Sequence, residues 1–247
     1  TQVGCAMRCA FCLTGKMGLV RHLTAGEIVG QVVMLASATG LLEQPFNIVL
    51  MGMGEPLHNY DNVMKAIRIL HDEQGLNMSV SRITLSTAGL LPAIERLAGE
   101  PMIPNLAISL TGASDEKRNQ LMPINRKYPI KQLLEAVRRF PLKHRQRVTF
   151  EYVLLRGVTD SPQDALRLVQ LLDGIRAKVG HGGVVRYAPG PGRLTPDQVV
   201  IPAAYLSSNA PDRPSPARLV SGADLPQHRA ADRRRRRIPL RCGQLCR

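Results

Sequence analysis

Three of the five cysteines lie within eight residues near the start of the chain. Cys5, Cys9 and Cys12 have the spacing C-x3-C-x2-C in the stretch GCAMRCAFC. Closed structural zinc sites use four protein ligands, and ordinary electron-carrying iron–sulfur clusters use four thiolates. A set of three therefore leaves one coordination position open for another molecule. Three interpretations stay open on spacing alone: an iron–sulfur cluster, a zinc site completed by a residue such as His22, and unligated buried thiols.

A second candidate site follows the apolar segment NIVLM, in the stretch MGMGEPLHN. Its glycines allow the backbone to approach a ligand closely, and Glu55 adds a carboxylate. Two further apolar segments end in small polar residues: LSTAG supplies Ser86 and Thr87, and ISLTG supplies Ser109 and Thr111. One such end is usually a helix cap. Three in succession indicate the rim of a ligand-binding site.

The chain ends in RCGQLCR, which contains Cys242 and Cys246. Taken alone, Cys242 is a thiol in a basic tail, for which exposure to oxidation is the simplest expectation. The neighbouring arginines favour its thiolate, which is the nucleophilic form of cysteine. Cys246 suggests no role.

Short apolar runs alternate with helical patterns over the first three quarters of the chain. Runs rich in β-branched residues and bounded by turn residues predict buried parallel strands. These runs are Asn47–Met51, Arg82–Ser86, Asn105–Leu110, Val148–Leu155 and Gly183–Tyr187. The alternation predicts an α/β fold, either a (β/α) barrel or a doubly wound sheet. In both architectures reactive groups gather at the carboxyl ends of the strands.

Three helix starts carry recognisable signals. Thr24 and Glu27 have the spacing of a capping box before an apolar series. Ser161 is a cap residue followed by Pro162, and proline is favoured at the first helical position. Pro129 precedes a third helical pattern.

The chain is strongly basic, with a formal net charge of +14. Such an excess favours a polyanionic partner, and nucleic acid is the commonest one. Basic side chains cluster in the stretch RRFPLKHRQR, which contains Arg138, Arg139, Lys143, Arg145 and Arg147. The sequence has no apolar run of about 18 residues and no signal peptide, so we expect a cytoplasmic protein without a membrane partner. Clustered cysteines in that compartment bind metal more often than they form disulfides.

The composition changes after about Gly180. Nine of the 18 prolines fall at or after Pro189, and Tyr205–Arg247 contains ten Arg against three Asp. This composition is typical of a tail or a poorly ordered segment. We therefore divide the chain into a core domain at residues 1–187 and a Pro/Arg-rich segment at residues 188–247.

Together, these motifs resemble those of the radical S-adenosylmethionine RNA methyltransferases. They are, in order, GCAMRCAFC, TGKMG, TAGEIVGQV, GMGEP, STAG, SLTG and MPINRKYPI, with shorter matches at YAPGPG and CGQL. Within that family the chain is most similar to dual-specificity enzymes that methylate carbon 2 of adenine in 23S rRNA and tRNA. The resemblance implies a partial (β/α)6 TIM-like barrel of the radical SAM type, followed by an irregular basic C-terminal tail.

The resemblance also implies a role for each candidate residue. The three clustered cysteines would hold a 4Fe-4S cluster that binds S-adenosylmethionine, and Cys242 would accept a methyl group and carry it to the RNA. Cofactor contacts would come from Gly54, Glu55, Ser86, Ser109, Leu110 and Thr111, of which Thr111 stands where relatives usually carry His. An electron donor such as flavodoxin would reduce the cluster.

Several features of the family have no counterpart in these 247 residues. They are an N-terminal RNA-binding domain, a Glu that accepts a proton, and a second cysteine that resolves the protein–RNA adduct. We therefore interpret the chain as a fragment that is not expected to complete the reaction alone. Two rival interpretations stay open: methylation of carbon 8 of adenine by the sister activity, and an inactive RNA-binding module that keeps a cluster or zinc as structure.

Overall fold

The computed structural model describes residues 1–185. The strands are β1 (Gln2–Gly4), β2 (Leu19–His22), β3 (Ile48–Leu50), β4 (Ile83–Thr87), β5 (Asn105–Ser109), β6 (Val148–Leu155) and β7 (Ala177–Val185). The helices are α1 (Leu13–Met17), α2 (Ala25–Ala38), α3 (Tyr60–His71), α4 (Leu91–Ala98), α5 (Asp115–Leu121), α6 (Ile130–Arg139) and α7 (Pro162–Leu171). Short 3-10 helices cover Pro56–Asn59, Val80–Arg82 and Pro123–Arg126.

Strands β3 to β7 form one parallel sheet in the order β3-β4-β5-β6-β7. At least one α-helix lies between each pair of successive strands in the chain. A doubly wound sheet reverses its strand order at a switch point, whereas a barrel adds strands in one direction. The uninterrupted order is therefore that of the predicted barrel, and the described residues contribute five of its strands. The α/β prediction is confirmed.

The apolar runs located four of the five sheet strands to within one residue at each end. The fifth prediction is wrong at its start, because β7 begins at Ala177 and not at Gly183. Its first part lacks a continuous apolar run and contains Gly180. A Cβ atom at Gly180 would lie 2.7 Å from Oε1 of Glu151, so glycine leaves room for that carboxylate on β6. The remainder of the predicted strand, and the tail beyond it, lie outside the described residues.

The capping signals are confirmed at the starts of α2 and α7. The Glu27 N–H donates to Oγ1 of Thr24 at 3.2 Å, and the Thr24 N–H donates to Oε2 of Glu27 at 2.8 Å. Ser161 and Asp164 form the same reciprocal pair before α7, with Pro162 as the first helical residue. These pairs satisfy amide groups that the first turn of a helix leaves without partners.

The main hydrophobic core joins the sheet to the helices around it. Helix α3 contributes Val63 and Ile67, α6 contributes Leu133, and the strands contribute Leu85 and Ile108. All five side chains are at most 1% exposed. Burying an aliphatic side chain of this size stabilises the fold by about 1.5–3 kcal/mol. This core fixes the sheet, whose strand ends carry the candidate site.

A short antiparallel hairpin of β1 and β2 precedes the sheet and was not predicted. The two strands meet closely at Gly4, which has φ of +79°. A Cβ atom there would collide with the carbonyl oxygen of Gly18, so only glycine fits. The hairpin encloses the clustered cysteines and α1. Within residues 1–185, none of the helices combines the length and the apolar character that a bilayer crossing requires.

Candidate functional site

The three clustered cysteines lie on a single loop between β1 and α1. Cys5 follows β1 directly and is buried, and its N–H donates to the carbonyl oxygen of Gly18 at 2.9 Å. Cys12 is the residue before the first turn of α1, and its N–H donates to the Cys9 carbonyl at 3.1 Å. We call residues 5–12 the cysteine loop. One hydrogen bond fixes its first residue to Gly18, and the other forms a turn between Cys9 and Cys12.

The cysteine loop packs against a small apolar cluster. The Ala10 N–H donates to the carbonyl of Leu121, at the end of α5, at 2.8 Å. Side chains of Met7, Cys9 and Phe11 pack against a group of four buried residues, which are Ala88, Leu121, Met122 and Leu155. Because Ala88 follows β4 and Leu155 ends β6, the loop lies beside the carboxyl ends of the sheet strands.

The thiols lie close enough to affect one another electrostatically. Burial raises the pKa of Cys9 to about 12, and the charges of Cys12 and Cys5 act in the same direction. Burial is also the main reason why the pKa of Cys5 is raised. Metal ligands of this type must be thiolates. Binding of a metal cluster therefore displaces protons from this loop.

The three thiols are compatible with a multi-iron cluster, whose ligands need not meet at one point. Within the described part of the chain, no three His, Cys, Asp or Glu side chains converge enough to hold a single ion. In a 4Fe-4S cluster each thiolate binds a different iron, so the sulfurs need not converge on one point. His22, one candidate fourth ligand in the zinc interpretation, has its Nδ1 2.9 Å from Nε2 of Gln2. Cys9 also borders a cavity of about 500 Å³.

Gly54 and Glu55 follow β3 and join the hairpin to the sheet. Gly54 has φ of +99°, and a Cβ atom there would lie 2.6 Å from Cβ of Gln2. The carboxylate of Glu55 is buried and accepts hydrogen bonds from the N–H groups of Leu57 (3.1 Å) and Ala88 (2.7 Å). Burial raises the pKa of this carboxyl. Its side chain thus ties the segment after β3 to the segment after β4.

The other predicted cofactor contacts lie at the ends of the next two strands. Ser86 is the penultimate residue of β4, Ser109 is the last residue of β5, and Leu110 and Thr111 follow it. Strands β3, β4 and β5 are neighbours in the sheet, so the structure brings these segments together as predicted. Their individual contacts with a cofactor stay predictions. We call residues 51–55, 86–89 and 109–112 the rim.

Thr111 is the rim residue whose surroundings point most directly to a ligand. Its side chain is fully buried, and its hydroxyl oxygen has no hydrogen-bond partner among residues 1–185. An orphaned buried hydroxyl is unusual in a native fold. A bound cofactor with a polar group at this position would satisfy it, which is consistent with the implied S-adenosylmethionine site.

Arg118 is a rim-associated residue that the sequence analysis missed. It is fully buried on α5, and its guanidinium donates to carbonyl oxygens of residues 88, 109 and 110. The surrounding stretch SDEKRNQL is rich in charge and is typical of a solvated helix surface. The glycines in STAG and SLTG were the available signal, because they leave space beside the two strand ends.

The basic cluster of the sequence lies at the opposite edge of the sheet. Arg138 and Arg139 end α6, and Lys143, Arg145 and Arg147 belong to the loop that enters β6. All five side chains are exposed. The amino ends of parallel strands share one edge, so this basic cluster and the rim are separated by the length of the strands. Cys242 and Cys246 lie outside the described residues.

Comparison with known proteins gives a consistent result. The family model of the radical SAM superfamily matches residues 1–169. The chain is 58% identical over 180 residues to the dual-specificity RNA methyltransferase RlmN of Syntrophotalea carbinolica, and 50% identical over 215 residues to that of Syntrophobacter fumaroxidans. A radical SAM methyltransferase from Sphaerobacter thermophilus has a similar structure, with a TM-score of 0.72 and 48% identity.

These matches cover most of the chain but only part of each relative. They include 72% of this chain and 47% of the Syntrophotalea protein, and 85% of this chain and 63% of the Syntrophobacter protein. The structural match covers 80% of this chain and 58% of the Sphaerobacter protein. The chain thus spans about half to three fifths of the length of the proteins that it matches.

Proposed function

Because this chain belongs to the radical SAM superfamily, we propose that it forms the catalytic core of an enzyme that methylates carbon 2 of adenine in 23S rRNA and tRNA. The observation that carries the proposal is the position of the cysteine loop beside the rim. Family membership implies a 4Fe-4S cluster and S-adenosylmethionine as cofactors. The names of the relatives, all RNA methyltransferases, support RNA as the substrate class.

The described residues would act mainly by holding the cofactors. Cys5, Cys9 and Cys12 would bind the cluster, which supplies one-electron chemistry to S-adenosylmethionine when it is bound. Glu55 would keep the rim rigid through its two backbone hydrogen bonds, and the hydroxyl of Thr111 would bind the cofactor. Rigid support of this kind places the reacting groups in line and excludes water.

We assign methyl transfer to Cys242. Its thiolate would attack the methyl group of one S-adenosylmethionine, so that a sulfur–carbon bond forms while the bond from methyl to the sulfonium sulfur breaks and its electron pair stays on that sulfur. Transfer of that carbon to the adenine would require one hydrogen atom to leave the methyl group, through the one-electron chemistry that the cluster and a second S-adenosylmethionine supply when bound. The carbon–carbon bond would form as carbon 2 of the adenine loses its proton, and the carbon–sulfur bond would break as the sulfur of Cys242 forms a disulfide with the resolving cysteine that the resemblance implies, with one electron given back. The base would leave its stack to reach a buried site.

Replacing Cys242 tests this assignment. In the full-length protein, we expect Cys242→Ala to abolish RNA methylation while iron content and cleavage of S-adenosylmethionine are retained. Cys246→Ala is the matched control, because it removes a neighbouring thiol of the same tail, and it should methylate RNA normally. Full turnover by Cys242→Ala would remove this residue from the mechanism.

Nucleoside mass spectrometry tests the reaction itself. The full-length gene should restore 2-methyladenosine to the RNA of a strain that lacks the enzyme. Formation of 8-methyladenosine would identify the sister activity instead. Purified full-length protein that binds zinc or a cluster but leaves the RNA unmodified would indicate an inactive RNA-binding module.

Partners and location follow from the substrate. An enzyme that modifies ribosomal and transfer RNA works where these RNAs are made, so we propose a cytoplasmic location in a bacterial cell. A small electron-transfer protein such as flavodoxin would supply the reducing electron. Anaerobic reduction of the reconstituted protein by flavodoxin, followed optically, checks that partner.

A further inference from the structure

Arg118 joins the two central segments of the rim through one guanidinium group. Its Nε donates to the Leu110 carbonyl at 2.9 Å, and its Nη1 donates to Oδ1 of Asn125 at 2.8 Å. Its Nη2 donates to the carbonyls of Ala88 at 2.7 Å and Ser109 at 3.1 Å. Because the guanidinium is planar and its donors have fixed directions, these bonds set the spacing between the segments that follow β4 and β5.

The surrounding sequence leaves space for this side chain. A Cβ atom at Gly89 would lie 3.3 Å from Nη2 of Arg118, and one at Gly112 would lie 3.0 Å from the Arg118 backbone nitrogen. Gly89 also has φ of +104°, which disfavours any larger residue. The chain is therefore built around a fully buried arginine.

Within the described part of the chain, no carboxylate balances this buried charge directly. None of the ion pairs among residues 1–185 includes Arg118. The nearest acidic side chain along the network is Asp115, whose Oδ1 accepts from Nδ2 of Asn125 at 2.8 Å and from the Ile130 N–H at 2.9 Å. Burial lowers the pKa of Arg118 to about 10, against the opposing effects of Cys9 and Asp115. The side chain still carries its proton at neutral pH.

The cysteine loop lies beside this cation. Cys9 packs against the small apolar cluster that contains Ala88 and Leu121, and the Ala88 carbonyl accepts the hydrogen bond from Nη2 of Arg118. The loop is also attached to the helix that carries Arg118, through the hydrogen bond from the Ala10 N–H to Leu121. A buried cation with only carbonyl and amide dipoles as partners is costly. A negatively charged group on the cysteine loop would offset that cost.

We propose that Arg118 is a positioning residue that also tunes the cluster. Its hydrogen bonds hold the segments after β4 and β5 at the spacing that the cofactor requires, and its charge opposes the negative charge of the thiolate ligands, which raises the reduction potential of the cluster. The inference rests on the proposed function in one respect, since it requires an iron–sulfur cluster on Cys5, Cys9 and Cys12.

The test separates the charge of Arg118 from its hydrogen bonds. Arg118→Lys keeps the charge and loses the planar group, whereas Arg118→Met loses both. Asp115→Asn removes a negative charge from the same network but keeps an oxygen that can accept the same two hydrogen bonds. Glu116→Gln is the matched control, because it removes an exposed charge from the same turn of α5 without a hydrogen bond to this network.

Three measurements are made on each protein: thermal unfolding without metal, iron content, and the midpoint potential from an anaerobic redox titration. We expect both Arg118 variants to unfold at a lower temperature, because both lose hydrogen bonds to the rim. The midpoint potential should become more negative in Arg118→Met and stay closer to the native value in Arg118→Lys. It should become more positive in Asp115→Asn, by more than in Glu116→Gln.

Opposite shifts in Arg118→Met and Asp115→Asn support the proposal. A purely structural role would lower the unfolding temperature of both Arg118 variants and shift their midpoint potentials equally, and this result overturns the proposal. If Arg118→Met does not fold or hold iron, Arg118→Gln, which also loses the charge but keeps a planar polar group, takes its place in the comparison with Arg118→Lys. Native protein that binds no iron after reconstitution contradicts the proposed function itself, and so is distinguishable from failure of this inference.

Discussion

Thr111 combines two features that are each unfavourable by themselves. Its φ of +52° lies in the left-handed region, which β-branched residues rarely adopt. Its hydroxyl is buried and unpaired within the described chain. The backbone on either side of it is held by hydrogen bonds, with the Leu110 N–H donating to the carbonyl of Glu151 on β6 at 2.9 Å and the Gly112 N–H to the Leu110 carbonyl at 2.7 Å. Strain of this kind is concentrated at functional sites.

Removing this hydroxyl should affect cofactor binding and leave folding intact. Thr111→Val keeps the shape and the backbone preference, so the unfolding temperature of the metal-free protein should be unchanged or higher. The affinity for S-adenosylmethionine should fall about 5–20-fold, which is the contribution of one hydrogen bond. Isothermal titration calorimetry of the anaerobically reconstituted protein measures that affinity.

Thr87 provides the matched control one strand earlier. Its hydroxyl accepts a hydrogen bond from the Gly89 N–H at 3.1 Å, so Thr87→Val should lower stability by about 1 kcal/mol. If Thr111→Val destabilises the metal-free protein by the same amount, its hydroxyl has a partner within the protein and the assignment is wrong.

Residue types and their order along the chain were enough to predict where the rim residues would lie. The sequence placed Glu55, Ser86 and Ser109 at strand ends, and the fold confirms that these ends are neighbours. It did not predict that the Glu55 carboxylate would turn inward to bind the Ala88 N–H, or that Arg118 would be buried. Both depend on contacts between segments that are far apart in sequence, which local patterns do not encode.

At the scale of secondary-structure elements, a polar link joins α5 to α7. Nζ of Lys117 donates to both carboxylate oxygens of Asp164, at 2.6 and 2.7 Å, and Asp164 also closes the capping pair with Ser161. The Asp164 side chain is 1% exposed. Burial opposes its ionisation, but the hydrogen bonds from Lys117 and Ser161 outweigh burial and lower its pKa below the ordinary value.

This link makes stability depend on pH in a defined direction. The folded pKa of Asp164 is lower than the unfolded value of about 3.9, so its contribution is present at neutral pH and is lost as the pH falls through the folded pKa. We expect Asp164→Asn to cost about 2 kcal/mol at pH 7. The free energy of unfolding, measured with urea, should differ less between Asp164→Asn and the native protein below about pH 4.

Asp160→Asn serves as the control for this experiment. Asp160 accepts an exposed hydrogen bond from the Gly157 N–H at 2.8 Å and has no ion pair among the described residues. At pH 7, Asp160→Asn should lower the free energy of unfolding by less than Asp164→Asn does. Equal losses in the two variants at every pH would show that Lys117 and Ser161 contribute nothing specific.

Elements with strong local signals were predicted more accurately than those without. Capping pairs and a proline at the first helical position located α2 and α7, because these features act within one helical turn. Strands β1 and β2 were missed, since they contain only three and four residues and β2 is mostly exposed. Their pairing depends on the close approach at Gly4, which is a tertiary contact.

At the scale of the whole molecule, the described core has two chemically different ends of its sheet. The cysteine loop and the rim lie at the carboxyl ends of the strands, and the basic cluster lies at the amino ends. Arg176, which directly precedes β7, donates to the carbonyls of Leu142 and Lys143, at 3.1 and 3.3 Å, and so fixes the loop that carries the basic residues. Charge at this edge is therefore held in place by the fold.

Neutralising the amino edge should weaken RNA binding without affecting the cofactors. The measurement is the association constant for RNA at several salt concentrations. For K143Q/R145Q, the slope of its logarithm against the logarithm of the salt concentration should decrease in magnitude by about one for each phosphate that the variant no longer neutralises. Iron content and cleavage of S-adenosylmethionine should be unchanged. The control K65Q/R167Q removes one exposed Lys and one exposed Arg from α3 and α7. Identical slopes for K143Q/R145Q and K65Q/R167Q would mean that Lys143 and Arg145 are ordinary surface charges that do not contact RNA phosphates.

The pairing of β1 with β2 has a consequence for the spacing of the thiols. The hydrogen bond from the Cys5 N–H to Gly18 and the close contact at Gly4 join the two ends of the segment that carries all three cysteines. Closing a loop costs conformational entropy, and contacts of the backbone itself offset that cost here. A larger residue at position 4 would therefore loosen all three thiols at once, although none of them is replaced.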